Sequence, residues 1–297
     1  MPNATPATSL QVRPRSRAVA AEVTGIDLAA AIDDDTMLDL RRAFARHSVL
    51  VFPDQHLDPV AQVAFAQRWG TPLVVTRLAA HAVPGTPAVL RVTNTGKAST
   101  LTETWHLDSA FFETPPPITI LAAQEIPELG GDTMWANQYL AYDALSPTMQ
   151  RLLAPLRAAF TGSLPDDSGT KHEVVTYHPV VRTHPATGRR SLAIGQIHSV
   201  PHFEGMSAEE SRGLLEFLYQ HASRPEFVYR HRWQAGDVVM WDNRCLLHYA
   251  IHDYEDDARL MHRVTVIEPY DERHADDEEA DEATGDVTGE HREDAPA

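Results

Sequence analysis

Apolar positions in this 297-residue chain recur with two periods, and the boundaries between them carry start and stop chemistry. Over residues 33–46, Met37, Leu38, Leu40, Ala43 and Phe44 form a stripe with helical spacing. Asp33, Asp34 and Asp35 load the end where the helix dipole favours negative charge. A second helix is predicted over 59–69. Asp58 before Pro59 reads as an N-cap and first helical residue, Val60, Val63, Ala64 and Phe65 supply the apolar positions, and Gly70 supplies the stop. Ser207, with Glu210 three residues on, is a capping box that opens another helix. Helical periodicity also runs through 138–161, with Ser146-Pro147 starting a helix inside it.

Short apolar runs at 19–28 (broken near Gly25), 48–52, 118–123, 133–135, 174–183, 191–197, 226–233, 237–241 and 260–268 predict strands. The clearest turns fall at 130–132, 185–188 and 234–236. Many short strands, few long helices, no βαβ alternation and no internal repeat predict an α+β fold. Its core is an antiparallel double-sheet barrel with helices outside. Residues 93–104 are small and polar and read as a lid-like loop.

Composition narrows the class. A hydrophobic fraction of 43% permits a substantial core, and no apolar run reaches the length of a membrane-spanning helix. The first ten residues lack the basic-then-apolar pattern of a secretory signal. Cys245 is the single cysteine, so an internal disulfide is excluded; the reading is a small buried hydrophobe in a cytoplasmic protein. The net charge of −17 is unevenly placed. Residues 271–297 hold twelve acids against two arginines, which leaves −7 on the rest. That segment has no aromatics and no periodicity, and is expected to be a disordered tail after a single domain over 1–270. No basic stripe points to nucleic acid, and nothing points to a membrane.

The candidate chemistry is a histidine, a carboxylate one residue beyond it across a spacer, and a remote second histidine. This is the ligand set of a two-His, one-carboxylate Fe(II) site with open positions. With 16 histidines the triplet alone is near chance, and three versions exist. In His56-Leu57-Asp58 the aspartate already caps a helix. In His202-Phe203-Glu204 the glutamate runs into Gly205 and the capping box. His106-Leu107-Asp108 has no such structural role. It alternates like a strand end, which would put His106 and Asp108 on one side. His248 follows 140 residues after Asp108, then Arg259 and Arg263. On one strand both arginines would face the side of Met261, either binding anionic ligands or pairing with Asp253, Glu255, Asp256 or Asp257. His252 lies four residues after His248, but Tyr249 stands where a zinc-protease helix needs its glutamate. His252 is therefore expected in a solvated turn.

Several ordered motifs resemble the taurine dioxygenase family of Fe(II)/2-oxoglutarate-dependent oxygenases, which includes enzymes acting on alkyl sulfates and aryloxyalkanoate herbicides. They are residues 23–28, Trp105-His106-Leu107-Asp108, Phe111 with 113–116, Gly130-Gly131-Asp132-Thr133, His178 to Pro185, Trp241-Asp242-Asn243-Arg244, and 248–263; the likeness spans about 19–268. It implies a double-stranded β-helix (jelly-roll, cupin-like) core with flanking helices, and a dimer or tetramer. His106, Asp108 and His248 would be the iron ligands. Arg259 and Thr133 would bind the far carboxylate of 2-oxoglutarate, Arg263 the anionic head of the substrate, and Phe111 would line the pocket. O2 would be the other co-substrate.

Four pocket positions depart from the taurine pattern. The family's sulfonate-contacting His falls at Val75, a pocket Tyr at Leu78, a pocket Asn at Thr102 and a pocket Phe near His198. A more apolar wall at Val75 and Leu78 fits a bulkier substrate that keeps one acidic group, with His81 or His198 as replacement polar contacts. Hydroxylation would yield a stable alcohol, or break a C–X bond if the carbon bears S, O or P. Two other classes remain open at this stage: a metal-dependent barrel enzyme that does not use 2-oxoglutarate, and a small-anion binding protein without catalysis.

Overall fold

The computed structural model describes residues 10–93, 103–165, 170–195 and 199–269. Residues 94–102 of the lid-like loop, Thr102 among them, His198 and the acidic tail lie outside these residues. The largest sheet has the hydrogen-bonded order Gln11–Pro14, Ala21–Thr24, Val49–Phe52, Val238–Asp242, Ile118–Glu125, Leu260–Pro269, Thr86–Val92 and Ala82–Val83, with Gly70–Pro72 also pairing Leu260–Pro269. Val228–His231, Thr133–Asn137 and Leu246–Ala250 form a second, antiparallel sheet. Together they form the double-stranded β-helix core.

Strand alternation sorts the side chains. Ile118, Ile120 and Ala122, with Val264, Val266, Val238 and Met240, pack against Phe44, Phe65 and Trp69. The helices Asp34–His47 and Pro59–Gln67 thus cover the outer face. Leu121 and Ala123, with Met261, Val239 and Trp241, face inward against Trp135, Tyr229 and Leu246 of the second sheet. Thr119 belongs to this inward set, directly across from Trp241 and Thr265. A polar residue on a buried sheet face is costly unless it is hydrogen-bonded. Hydrogen bonds to Asp108 and Asn243 satisfy it.

Helix starts follow the capping chemistry. Asp33, Asp58, Ser146 and Ser207 are N-caps, and the Ser207–Glu210 capping box is formed on both sides. Four expectations change. The second helix ends at Gln67, and Gly70 begins a strand instead of capping it. The periodic stretch 138–161 holds two short helices, Gln138–Asp143 and Pro147–Leu153. Its end becomes the strand Arg157–Pro165, because pairing with Lys171–Pro179 outweighs local helical preference. The 174–183 run divides at Val180, and the 226–233 run opens with a 3-10 turn at Pro225–Phe227 before the strand Val228–His231. Cys245 is buried, as expected, and burial pushes its thiol up.

Behind the inner sheet, Asp242 accepts from Arg244 Nη2 at 2.6 Å, from the Arg244 backbone N–H at 2.8 Å and from His184 Nε2 at 2.9 Å. His184 Nδ1 in turn accepts from the backbone N–H groups of Ala186 and Thr187. His184, Asp242 and Cys245 are close enough to hold an ion, but every acceptor on Asp242 and His184 is already used. The cluster is a structural tie. Burial alone would raise the Asp242 carboxyl; Arg244 and His184 outweigh it and hold it well below the usual carboxylate range. Breaking such a buried pair costs about 3–5 kcal/mol. Asp242→Asn should therefore lose stability of that order in urea unfolding at about pH 7. The folded carboxyl is depressed, so its contribution is full above the ordinary value of 3.8 and is lost as pH falls below it. The gap between wild type and variant should be constant near neutrality and close only in acid.

Candidate metal centre and co-substrate site

The triplet does not reach its site on a continuous strand. His106 makes a single β-bridge with His248, through two backbone hydrogen bonds of 3.0 Å, and residues 108–111 then form a turn with Ser109 at φ +47°. The bridge brings the two rings to 4.1 Å between centroids. The turn is pinned from outside: Thr176 Oγ1 donates to Phe111 O at 2.7 Å, and His178 Nε2 donates to Phe112 O at 2.9 Å. Phe111 lies flat over Gly162, where no Cβ would fit.

One ligand atom each from His106, Asp108 and His248 lies within 4.8 Å of the others. His106 Nδ1–H donates to Thr104 O at 2.7 Å, which leaves Nε2 as its lone-pair nitrogen. Burial, with His248 and Arg263 adding to it, pushes His106 down to about 3, so the ring is neutral near neutral pH. Burial opposes ionisation of Asp108, but Arg263 and His248 hold its carboxyl well below the usual range. Asp108 Oδ1 lies 3.6 Å from His248 Nε2, while Oδ2 is occupied by Arg263 Nη2 at 3.0 Å and Thr119 Oγ1 at 2.8 Å. Two imidazoles and one ionised carboxylate with a single free oxygen match the donor set of an Fe(II) ion with open positions.

Arg259 and Arg263 are not on one unbroken alternation. The strand begins at Leu260, so Arg259 lies just ahead of it, and the partner strand skips Gln124 between the Leu260 and Met261 pairs. Arg259 is 4% exposed; its Nε donates to Gly131 O at 3.1 Å, and its guanidinium lies 5.9 Å from the Tyr254 ring centre. Gly131 has φ +71°, and a Cβ there would press on the Arg259 side chain at 3.1 Å. Thr133, two residues on, is buried and accepts from Trp233 Nε1 at 2.9 Å, so its own hydroxyl proton is free to donate. The rival acids do not neutralise the arginines. Asp253 instead contacts Arg230 and the Gly131 N–H, and Glu255, Asp256 and Asp257 are exposed. Arg263 keeps a buried Nε with no hydrogen-bond partner.

A cavity of about 420 Å³ opens at His106, lined by Leu107, Ala110, Phe111, Phe160 and Gly162, with Ser109, Thr161, Ser163, Ser199 and Lys171 as its polar groups. Phe160, Gly162 and Lys171 were not legible as pocket residues from spacing. Val75 and Leu78, on and beside the 3-10 turn Thr76–His81, are not among its lining residues, and His81 is exposed. His252 is not solvated: its Nδ1 meets Glu103 at 2.9 Å with the side chain 9% exposed.

No helix among the described residues is long and apolar enough to cross a membrane. The chain is 35% identical to an alkylsulfatase from Acinetobacter baylyi, covering 88% of this chain and 86% of that protein. It is 36% identical to an alpha-ketoglutarate-dependent sulfate ester dioxygenase from Pseudomonas putida, covering 88% and 90%. A crystal structure of a taurine dioxygenase from Burkholderia xenovorans superposes with a TM-score of 0.78 at 35% identity, over 87% of this chain and 89% of that one. The family model for taurine catabolism dioxygenase TauD, TfdA family, matches residues 11–265. With the barrel, the His-Asp-His centre and these relatives in agreement, the chain belongs to the TauD/TfdA family of dioxygenases.

Proposed function

We propose that this chain is a cytoplasmic Fe(II)- and 2-oxoglutarate-dependent dioxygenase that oxidises a small organic anion, with sulfate esters the favoured class. The observation that carries the reading is the convergence of His106, Asp108 and His248 beside Arg263, which keeps a buried Nε without a partner. His106 Nε2, Asp108 Oδ1 and His248 Nε2 would hold the iron. Bound Fe(II) supplies activation of O2 and 2-oxoglutarate, giving succinate, CO2 and an oxygen atom inserted into a substrate C–H bond.

The protein's part is binding and orientation. Arg259 and the Thr133 hydroxyl hold the far carboxylate of 2-oxoglutarate. Arg263 offers its free Nε to the substrate anion while Nη2 stays on Asp108. Phe111 and Phe160 enclose an apolar body, and the cavity volume falls in the range of small-molecule sites, about 300–1,000 Å³. Such a space suits a longer alkyl or arylalkyl sulfate, whose O-bearing carbon carries hydrogen, better than a two-carbon amino sulfonate. Hydroxylation at the carbon bearing the sulfate oxygen leaves two oxygen substituents there, and loss of sulfate gives the aldehyde.

The test is succinate formation with alkyl and aryl sulfates, sulfonates, aryloxyalkanoates and phosphonates, with inorganic sulfate measured alongside. Succinate and sulfate in equal amounts are expected from at least one sulfate ester. Succinate without sulfate from another anion would move the substrate class. No succinate with any anion, together with no weak visible band on anaerobic addition of Fe(II) and 2-oxoglutarate, would overturn the reading.

A further inference from the structure

The hydrogen bonds behind Asp108 have a fixed direction. Trp241 Nε1 can only donate, and it donates to Asn243 Oδ1 at 2.8 Å. That contact decides which end of the Asn243 amide is oxygen. Asn243 Nδ2 therefore donates, to Pro116 O at 3.2 Å and to Thr119 Oγ1 at 3.0 Å. A hydroxyl has one proton, and with its oxygen receiving from Asn243, Thr119 spends that proton on Asp108 Oδ2 at 2.8 Å. Trp241, Asn243, Thr119 and Asp108 are all buried, so water does not compete for these positions.

We infer that Thr119 is a positioning residue for the metal-binding carboxylate. It pins Oδ2 of Asp108, so that Oδ1 alone is presented to the ion. The inference rests on reading His106, Asp108 and His248 as the metal ligands. Arg263 also holds Oδ2, but its side chain is 26% exposed and it is the cation placed to meet a substrate anion. Thr119 has no such second task. It lies mid-strand between Trp241 and Thr265, with its partner Asn243 tied at both ends of the amide. Thr119 is thus the anchor of Oδ2 whose single proton is committed to the carboxylate alone.

The sequence marks this residue only faintly. Thr119 is the polar interruption in the run Ile118-Thr119-Ile120-Leu121-Ala122-Ala123, and threonine on a strand ordinarily needs no special account. The directed chain from Trp241 is what separates the two readings.

The experiment titrates metal-free protein with Co(II) and records the visible d–d spectrum for wild type, Thr119→Val, Thr119→Ala, Thr119→Ser and Asp108→Ala, with near-ultraviolet circular dichroism confirming the fold. Outer partners of metal ligands are typically worth about 10–100-fold in affinity. Thr119→Val and Thr119→Ala should weaken Co(II) binding by about tenfold, the low end, since Arg263 remains. Both should change the intensity of the d–d bands, and Thr119→Ser should restore affinity and spectrum. The alanine variant carries the test if the valine variant does not fold. Wild-type affinity and spectrum in the folded hydroxyl-free variants, or a serine variant as weak as valine, would overturn the inference while Asp108→Ala remains impaired. Undiminished Co(II) binding by Asp108→Ala would instead overturn the metal-site reading itself.

Discussion

His106→Ala is expected to remove metal binding and 2-oxoglutarate turnover while leaving the fold in place. Its bridge to His248 is made by backbone N–H and C=O groups, which alanine retains. The ring is neutral near pH 7, so its loss strands no buried charge. What disappears is a lone pair aimed at the ion by the Nδ1–H bond to Thr104 O. Losing a ligand should cost more than the about 10–100-fold lost with an outer partner, so Fe(II) affinity and succinate formation should fall by more than about 100-fold. The check is anaerobic titration of Fe(II) and 2-oxoglutarate, following the visible charge-transfer band, beside a thermal melt. An unchanged band with an unchanged melt would remove His106 from the site.

Much of the frame was legible because capping and alternation are local. Asp58 could be set aside as a metal ligand because Pro59 follows it, and it does cap the helix. The inward and outward faces of Ile118–Glu125 follow from strand alternation. The failures are where distant parts of the chain decide. Residues 157–161 read as helix and became strand, since only the partner 171–179 fixes their pairing. The His106 triplet read as a strand end and is a bridge followed by a turn, held by Thr176 and His178 from a hairpin more than sixty residues away. His252 read as solvated because nothing local showed Glu103 beside it. The two arginines read as equivalent neighbours on one face. Arg259 lies ahead of the strand and Arg263 within it, which gives them different surroundings, one enclosed beside Gly131 and the other facing Asp108.

That difference sets the second large expectation. Arg259→Met should strongly weaken 2-oxoglutarate binding without destabilising the protein in its absence. Arg259 is buried with one neutral hydrogen-bond partner, and burial pushes its guanidinium down from its ordinary value. An enclosed cation whose hydrogen-bond partner is a neutral carbonyl is a cost that an apolar chain of similar length does not carry. Truncating one member of a buried, hydrogen-bonded charge pair costs about 2–5 kcal/mol, so KM for 2-oxoglutarate should rise by about 30-fold or more. Wild type should gain about 2.7 kcal/mol from 2-oxoglutarate at 100 times its Kd, seen as a higher melting temperature, and the variant should gain less than about 1 kcal/mol at the same concentration. Its melting temperature without 2-oxoglutarate should equal or exceed that of wild type. Arg263→Met makes the contrast: it strips one anchor from Asp108 and the proposed contact to the substrate anion, yet should leave 2-oxoglutarate stabilisation in place once metal is saturating. If the Arg263 variant loses that stabilisation and the Arg259 variant keeps it, the two arginines exchange roles. A guanidinium beside the iron-binding carboxylate would then hold the co-substrate, and the enclosed one at Gly131 would serve the fold alone.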